Sequence, residues 1–176
     1  SSNTSATQKF TLQVIGTNDP PVITSTPITT ATEDVYYSYQ LTFTDEDPGD
    51  FVTLYTCSCS VLPDWLTFNR DTGLLYGTPI NKDVGSHNIK LKVEDSDCAV
   101  ASQNFTITVV NVNDPPTFTS TPIISATEDV GYTYTVTTTD IDPTGDSVSL
   151  TGTTIPSWLT FNTSTGILSG TPLNAH

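Results

Sequence analysis

The sequence predicts an all-β protein built from tandem antiparallel β-sandwiches of about 95 residues each. One reason is internal repetition. Residues 6–21 (ATQKFTLQVIGTNDPP) align with residues 101–116 (ASQNFTITVVNVNDPP), and residues 20–34 align with residues 115–129. A fixed period of this length indicates a series of small domains. The other reason is a period-two pattern of apolar residues with no helical periodicity.

The period-two pattern marks the strands. Apolar and polar side chains alternate in residues 37–43, 89–93 and 105–109, and two of these segments recur at residues 10–14 and 132–136. Thr, Val and Tyr dominate them, as is typical of half-buried strands. Turn-forming clusters such as NRDTG and DSD separate them. About seven strands per repeat predict an immunoglobulin-like sandwich.

The Asn-Asp-Pro-Pro motif marks the boundaries between the repeats. We expect residues 1–17 to be the last strand of a preceding repeat, residues 18–113 to be a complete repeat, and residues 114–176 to be an incomplete following repeat. The chain has no Met and no targeting segment, so we expect it to be an interior piece of a longer protein.

Trp65 and Trp158 occupy matching positions in the shared P-x-W-L-T-F-N motif. We expect a buried core residue in each repeat, because a ligand-stacking aromatic is more often unique to one repeat. Gly73, Gly77 and their counterparts in the next repeat are predicted turn or bulge glycines.

The amino-acid composition limits the classes of function that the chain can have. The chain has 5 Lys and Arg against 19 Asp and Glu, a formal net charge of −14, which excludes a nucleic-acid partner and suits divalent cations. No segment approaches the ~20 apolar residues of a membrane span. No G-x-S-x-G, H-E-x-x-H or phosphate-loop motif is present, and the paired aspartates recur in consecutive repeats, which favours a spacer over an active site. We therefore predict a protein that is not an enzyme.

Acidic and amide residues recur at three places in the repeats: in the linker, after the first extended segment, and in a D-x-D pair. The recurring residues are Asn18-Asp19 and Asn113-Asp114, Glu33 and Glu128, and Asp45/Asp47 and Asp140/Asp142. A D-x-D pair on an extended chain directs both carboxylates to one face, and both pairs and linkers lie at domain ends. Calcium takes 6–8 oxygen ligands, so the pattern predicts Ca²⁺ sites. The alternative is that these residues only form turns.

These motifs together resemble cadherin-like repeats of the dystroglycan type. The shared features are N-x-N-D-P-P, A-T-E-D, D-x-D-P-x-G-D and P-x-W-L-T-F-N followed by T-G-x-L-x-G-T-P, which cover essentially the whole chain. The resemblance implies Ca²⁺ bound between successive repeats, where it rigidifies the junction. The implied ligands are Glu33, Asn113, Asp114, Asp140 and Asp142 at the second junction, and Asn18, Asp19, Asp45, Asp47 and Asp95 at the first.

The chain departs from the cadherin linker pattern. Gly16 and Asn111 replace its first Asp, Pro20 and Pro115 replace its last Asn, and the D-R-E motif is absent. Fewer anionic ligands imply fewer ions per junction and weaker binding.

The expected function is an extracellular or cell-surface structural and adhesive segment that contacts neighbouring repeats of its own chain. Two alternatives stay open: a glycosylated surface filament formed by self-association, which includes homophilic contact, and a carbohydrate-binding module of a larger secreted protein. N-x-[ST] sequons at Asn104, Asn162 and Asn3 are candidate glycosylation sites, with Asn104 the best placed because it precedes an inward-facing Phe.

Three cysteines lie in the complete repeat. Cys57 and Cys59 share a strand face and are too close in sequence to pair, so we expect Cys98 to bridge to one of them, and three unpaired thiols are the alternative. The bridge would close a loop of about 40 residues and stabilise the domain by roughly 4 kcal/mol in the chain-entropy model.

Peptide mapping without reductant tests this bridge. We expect a fragment that links Cys98 to Cys57 or Cys59, and reduction should release it and lower the melting temperature. Recovery of all three cysteines as free thiols would refute the pairing.

Overall fold

The structure is a computed structural model that describes residues 1, 4–47, 49–56, 61–143 and 147–174. These residues form short strands and one 3₁₀ helix, Asn81–Asp83, and contain no α-helix, which confirms the all-β prediction. The strands are β1 (Val22–Ile23), β2 (Thr30–Thr32), β3 (Tyr37–Gln40), β4 (Phe43–Thr44), β5 (Thr53–Thr56), β6 (Leu66–Asn69), β7 (Leu74–Gly77), β8 (Gly85–Glu94), β9 (Val100–Val110), β10 (Thr117–Phe118), β11 (Tyr132–Thr135), β12 (Thr138–Thr139), β13 (Leu159–Asn162) and β14 (Ile167–Gly170). Within these ranges, no helix has the length and hydropathy needed to span a bilayer.

The chain divides into two compact units. The first contains Ser1–Thr29, Tyr37–Gly77 and His87–Ile107, and the second contains Thr30–Tyr36, Thr78–Ser86 and Thr108–His176. The repeat boundaries after residues 17 and 113 stay predictions.

In the first unit, antiparallel pairing joins β3 to β7 and β7 to β6, β1 to β4, and β5 to β8. The alternating segment 37–43 is therefore not one strand. It ends in one sheet at Gln40 and resumes in another at Phe43, and between them the N–H of Leu41 donates to the carbonyl of Gly73 at 2.9 Å. Alternation identifies the inward side chains on both sides of the break but not the break itself, because both parts face the same core.

The core of the first unit is apolar and aromatic. Its buried side chains are Tyr37, Tyr39, Leu41, Leu54, Trp65, Leu66, Leu75, Ile89, Leu91, Val93 and Ile107. The Tyr37 ring meets the Trp65 ring edge-on at 5.8 Å between centroids, which confirms Trp65 as a core residue. Gly77 is required beside it, since a Cβ there would lie 1.8 Å from the Trp65 carbonyl oxygen.

The second unit repeats part of this pattern. Strands β11, β14 and β13 pair as β3, β7 and β6 do, and β10 pairs with β12 as β1 pairs with β4. Gly170 takes the place of Gly77, with a would-be Cβ 1.9 Å from the carbonyl oxygen of Trp158. In addition, β2 runs parallel to the end of β9, with Thr30 opposite Thr108 and Thr32 opposite Val110.

Residues 4–17 form no strand, although their apolar side chains alternate as a strand's do. Phe10, Leu12 and Val14 are 81%, 77% and 85% exposed. None of the described strands pairs with this segment. An isolated extended segment has neither backbone partners nor an apolar surface to cover, so its sequence pattern alone does not produce a strand.

Two leucines at matching positions allow the packing of the two three-stranded sheets to be compared. Leu75 in β7 is fully buried, and its counterpart Leu168 in β14 is partly exposed. We expect Leu75→Ala to lower the free energy of unfolding by about 2–5 kcal/mol, because it removes buried methyl groups and leaves a cavity. Leu168→Ala should cost clearly less. Urea unfolding curves measure both, and equal losses would contradict the difference in packing.

Candidate metal centres at the two linkers

Strand pairing places Glu33 beside the linker that follows β9. Glu33 comes directly after β2, and its N–H donates to the carbonyl of Val110 at 3.0 Å, which extends the β2–β9 ladder by one bond. The Glu33 side chain then reaches past the strand end, where its Oε2 accepts the N–H of Val112 at 3.0 Å. A carboxylate from one edge of the repeat thus contacts the linker directly.

Glu33 is also the most deeply buried acid in the described part of the chain, with 0% of its surface exposed. Its second oxygen, Oε1, is buried and has no hydrogen-bond partner among the described residues. A buried carboxylate oxygen without a donor is costly, so this position favours a cation close by.

Asp142 is the centre of the contacts around this linker. Its Oδ2 accepts the N–H of Asp114 at 2.8 Å, and its Oδ1 accepts Asn111 Nδ2 at 2.9 Å. The N–H of Asp142 in turn donates to Asp140 Oδ1 at 3.1 Å. The D-x-D pair and the linker aspartate are therefore adjacent, as the sequence predicts.

Two asparagines complete the surroundings. Asn81, in the 3₁₀ helix, donates from Nδ2 to Asp114 Oδ2 at 2.9 Å. Asn113 is exposed, and its Nδ2 donates to the carbonyl of Asp114 at 3.2 Å rather than to an acid. We refer to these residues as the second linker group: Glu33, Asn81, Asn111, Asn113, Asp114, Asp140 and Asp142.

The donors around Asp142 hold it in the ionised form. The backbone N–H of Asp114 and the Asn111 amide lower the pKa of Asp142 below its ordinary 3.8, which outweighs the opposing effect of partial desolvation. The carboxylate is thus charged at neutral pH.

The first linker repeats the backbone contacts between the linker aspartate and the D-x-D pair. The N–H of Asp19 donates to Asp47 Oδ2 at 2.6 Å, and the N–H of Asp47 donates to Asp45 Oδ1 at 3.0 Å. Asn18 Nδ2 donates to Asp95 Oδ2 at 3.1 Å. We refer to these five residues together with Asp50 as the first linker group.

Asp50 joins the D-x-D pair of the first linker group. Carboxylate oxygens of Asp45, Asp47 and Asp50 lie within 4.8 Å of one another. Asp45 Oδ2 and Asp50 Oδ2 are buried and have no hydrogen-bond partner in the ranges that the structure covers. Three carboxylates this close repel one another unless a proton or a cation intervenes.

Asp95 has a structural role of its own. It is 5% exposed, and its Oδ1 accepts the N–H groups of Asp97 and Ala99 at 3.0 and 2.8 Å, which closes the turn between β8 and β9. Desolvation raises its pKa, but the bonds from Asn18 and from this turn outweigh it and lower the pKa below 3.8. The turn-forming alternative therefore describes part of what Asp95 does.

Three residues of these groups were not predicted as ligands from the sequence. Asp50 ends the sequence DEDPGD and recurs at the end of DIDPTGD as Asp146, which lies outside the described residues. Asn81 recurs as Asn174 in the shared T-P-x-N sequence, so repetition was an available signal. Asn111 does not recur, because Gly16 stands at its place in the first linker, and its only signal was its alignment with the first Asp of the cadherin linker pattern.

The predicted modification sites are only partly described. Cys98 is exposed in the turn between β8 and β9, while Cys57, Cys59 and Asn3 lie outside the described residues. Asn104 is exposed on β9. Asn162 is exposed too, but its Oδ1 accepts the N–H groups of the two residues at 164 and 165, as a turn-forming Asn does.

The fold and the linker groups define a class of protein: tandem immunoglobulin-like β-sandwiches with acidic linkers. The family described as "Putative Ig domain" (He_PIG) matches residues 20–110 and, a second time, residues 115–176. The chain belongs to this family of Ig domains.

Three known proteins are similar to the chain. A serine-rich adhesin for platelets from Staphylococcus aureus (strain MRSA252) is 30% identical over 135 residues, which are 76% of this chain and 9% of the adhesin. The crystal structure of human CDH23 EC21-23 is 19% identical, with a TM-score of 0.54 over 88% of this chain and 54% of that one. This likeness shows a cadherin-like fold. An endo-fucoidan hydrolase, MfFcnA4 from glycoside hydrolase family 107, is 26% identical over 89% of this chain and 25% of its own, but its TM-score of 0.45 supports no inference.

The lowered pKa of Asp142 predicts a pH-dependent contribution to stability. A carboxyl group with a lowered folded pKa stabilises the fold fully above its unfolded pKa, and this contribution is lost as pH falls through the folded pKa. We therefore expect Asp142→Asn to be less stable than the wild type at pH 7 in metal-free buffer, with a difference that shrinks below about pH 4. Urea unfolding across this range measures it, and a difference that does not change with pH would contradict the assignment.

Proposed function

We propose that the chain is an extracellular structural and adhesive segment in which Ca²⁺ rigidifies the junctions between consecutive repeats. The observation that carries the proposal is Glu33: a fully buried carboxylate beside the linker, with one oxygen that has no hydrogen-bond partner among the described residues. A carboxylate in that position costs free energy unless an opposite charge compensates it.

The second linker group supplies oxygens from three places in the chain. Glu33 comes from the end of β2, Asp114 from the linker, and Asp140 and Asp142 from the segment after β12. The group fits calcium because its carboxylates are hard oxygen ligands, and Asn111 adds a buried amide oxygen, Oδ1, with no hydrogen-bond partner among the described residues. Bound there, a cation would compensate the carboxylate charges and join the three segments.

The first linker group supports the same proposal independently. Its Asp45, Asp47 and Asp50 offer carboxylate oxygens within 4.8 Å of one another, and two of those carboxylates have a buried oxygen with no hydrogen-bond partner in the described part of the chain. Asn18, Asp19 and Asp95 are the remaining proposed ligands. The formal charge of −14 strengthens the attraction of any cation to either group.

The relatives support the adhesive part. The platelet adhesin is named for adhesion, and a role that is not enzymatic fits both it and the Ig-domain family. The chain spans only 9% of that adhesin, so an extracellular location, contact with neighbouring repeats and self-association are proposals for this chain. Membership of the dystroglycan type of cadherin-like repeat is a proposal on the same footing.

Thermal unfolding with and without calcium tests the proposal. At ~100 times the dissociation constant, Ca²⁺ should add roughly 2.7 kcal/mol per site relative to chelator, because it binds the folded chain only. Mg²⁺ alone should not reproduce the shift, since it prefers to keep its water ligands.

Single substitutions assign the sites. Asp140→Asn should remove the calcium-dependent protection of the second linker in hydrogen exchange and leave the first linker unchanged, and Asp45→Asn should do the reverse. Asp71→Asn removes the same charge at an exposed turn position outside both groups and serves as the control. A wild-type chain that melts identically in Ca²⁺ and chelator would reduce both groups to turn-forming residues.

A further inference from the structure

Two asparagines contact the carboxylates of the second linker group with their nitrogen atoms. Asn111 Nδ2 donates to Asp142 Oδ1 at 2.9 Å, and Asn81 Nδ2 donates to Asp114 Oδ2 at 2.9 Å. We call Asn81 and Asn111 the carboxamide pair. Each bond joins residues far apart in the sequence, since Asn111 precedes Asp142 by 31 positions and Asn81 precedes Asp114 by 33.

This orientation is opposite to the one that a metal requires. An Asn side chain coordinates a cation through Oδ1, never through the NH₂ group, which can only donate hydrogen bonds. Asn111 is the informative case: while its Nδ2 is bound to Asp142, its Oδ1 is buried and has no hydrogen-bond partner among the described residues. A half-turn of the amide about χ2 exchanges the two atoms.

We propose that the carboxamide pair holds the second linker group together without a metal, and that Asn111 releases Asp142 and presents Oδ1 when a divalent cation binds. The first part stands on the hydrogen bonds alone, and the second part rests on the proposed function. The amide donors offset part of the negative charge that a cation would otherwise have to compensate. The junction then has two alternative sets of contacts, one made by amides and one made by the ion.

The first linker group provides an internal comparison. Gly16 stands where the second linker has Asn111, so the first linker cannot make the corresponding bond. Asp47, the counterpart of Asp142, accepts the N–H of Asp19, and no side-chain amide among the described residues donates to it. At this aspartate the first linker therefore has no amide donor to replace the cation.

Asn111→Asp is the decisive variant because it keeps the shape of the side chain and replaces the donor by a charged acceptor. In chelator, the bond to Asp142 becomes a repulsion, and the backbone amides of residues 112–114 should exchange with solvent about tenfold faster, or more, than in the wild type. In Ca²⁺, the added charged ligand should tighten binding about tenfold or more by titration calorimetry.

Controls separate this effect from added charge and from misfolding. Asn104→Asp adds the same charge on the exposed face of β9. It should change neither the exchange rate in chelator nor the affinity for calcium. Asn111→Ala removes both the donor and the oxygen without adding charge, so it should speed exchange in chelator and weaken calcium binding. In the wild type, the side-chain NH₂ signal of Asn111, identified by its loss in either variant, should shift during a Ca²⁺ titration.

The two proposals fail in different ways. If the wild type binds no Ca²⁺ but Asn111→Asp and Asn111→Ala both speed exchange at residues 112–114, the proposed function is wrong and the metal-free role of the carboxamide pair stands. If the wild type binds Ca²⁺ while both variants exchange like Asn104→Asp in chelator, the calcium junction stands and the role of the pair is overturned. An Asn111 NH₂ signal that stays fixed while calcium binds would overturn the release step.

Discussion

The burial of the Glu33 carboxylate is the constraint on which the rest of the candidate site depends. Strand β2 pairs with β9 in parallel over three residue pairs, and one further backbone hydrogen bond follows them. This pairing places the Glu33 side chain at the start of the linker. Among the described residues, only one of its oxygens receives a donor, from Val112. The surrounding backbone thus fixes an acid where water does not reach it, beside the linker that carries Asp114.

Local hydrogen bonds arrange those aspartates in the same way at both linkers. In each case the linker Asp donates its N–H to the second Asp of the D-x-D pair, whose own N–H donates to the first. Because of these hydrogen bonds, forming a turn does not prevent the same residues from binding a cation. The turn sets the carboxylates in place, and at the first linker Asp45 Oδ2 and Asp50 Oδ2 have no hydrogen-bond partner among the described residues.

Most of the fold and of the candidate site could be predicted from the sequence because the sequence repeats. The offset between repeats predicted which segments would recur as strands, and it marked Trp65, Gly77 and the linker aspartates as positions with a shared role. The break between strands within residues 37–43 was harder to predict, because the alternation of apolar and polar side chains continues where the chain passes from one sheet to the other. Asn111 was marked only as a departure from the cadherin linker pattern: its partner lies 31 positions away, and only the folded chain shows that its amide contacts Asp142.

The difference between Gly16 and Asn111 has a mechanical consequence. Linkers with identical contacts would yield at one common force when the chain is pulled from its ends. Here Asn111 donates a side-chain hydrogen bond to Asp142 in the second linker, and Gly16 leaves the first linker without that one bond. At low calcium, the first linker would therefore extend under a weaker pull than the second, so that a series of such repeats would lengthen in steps and absorb work gradually.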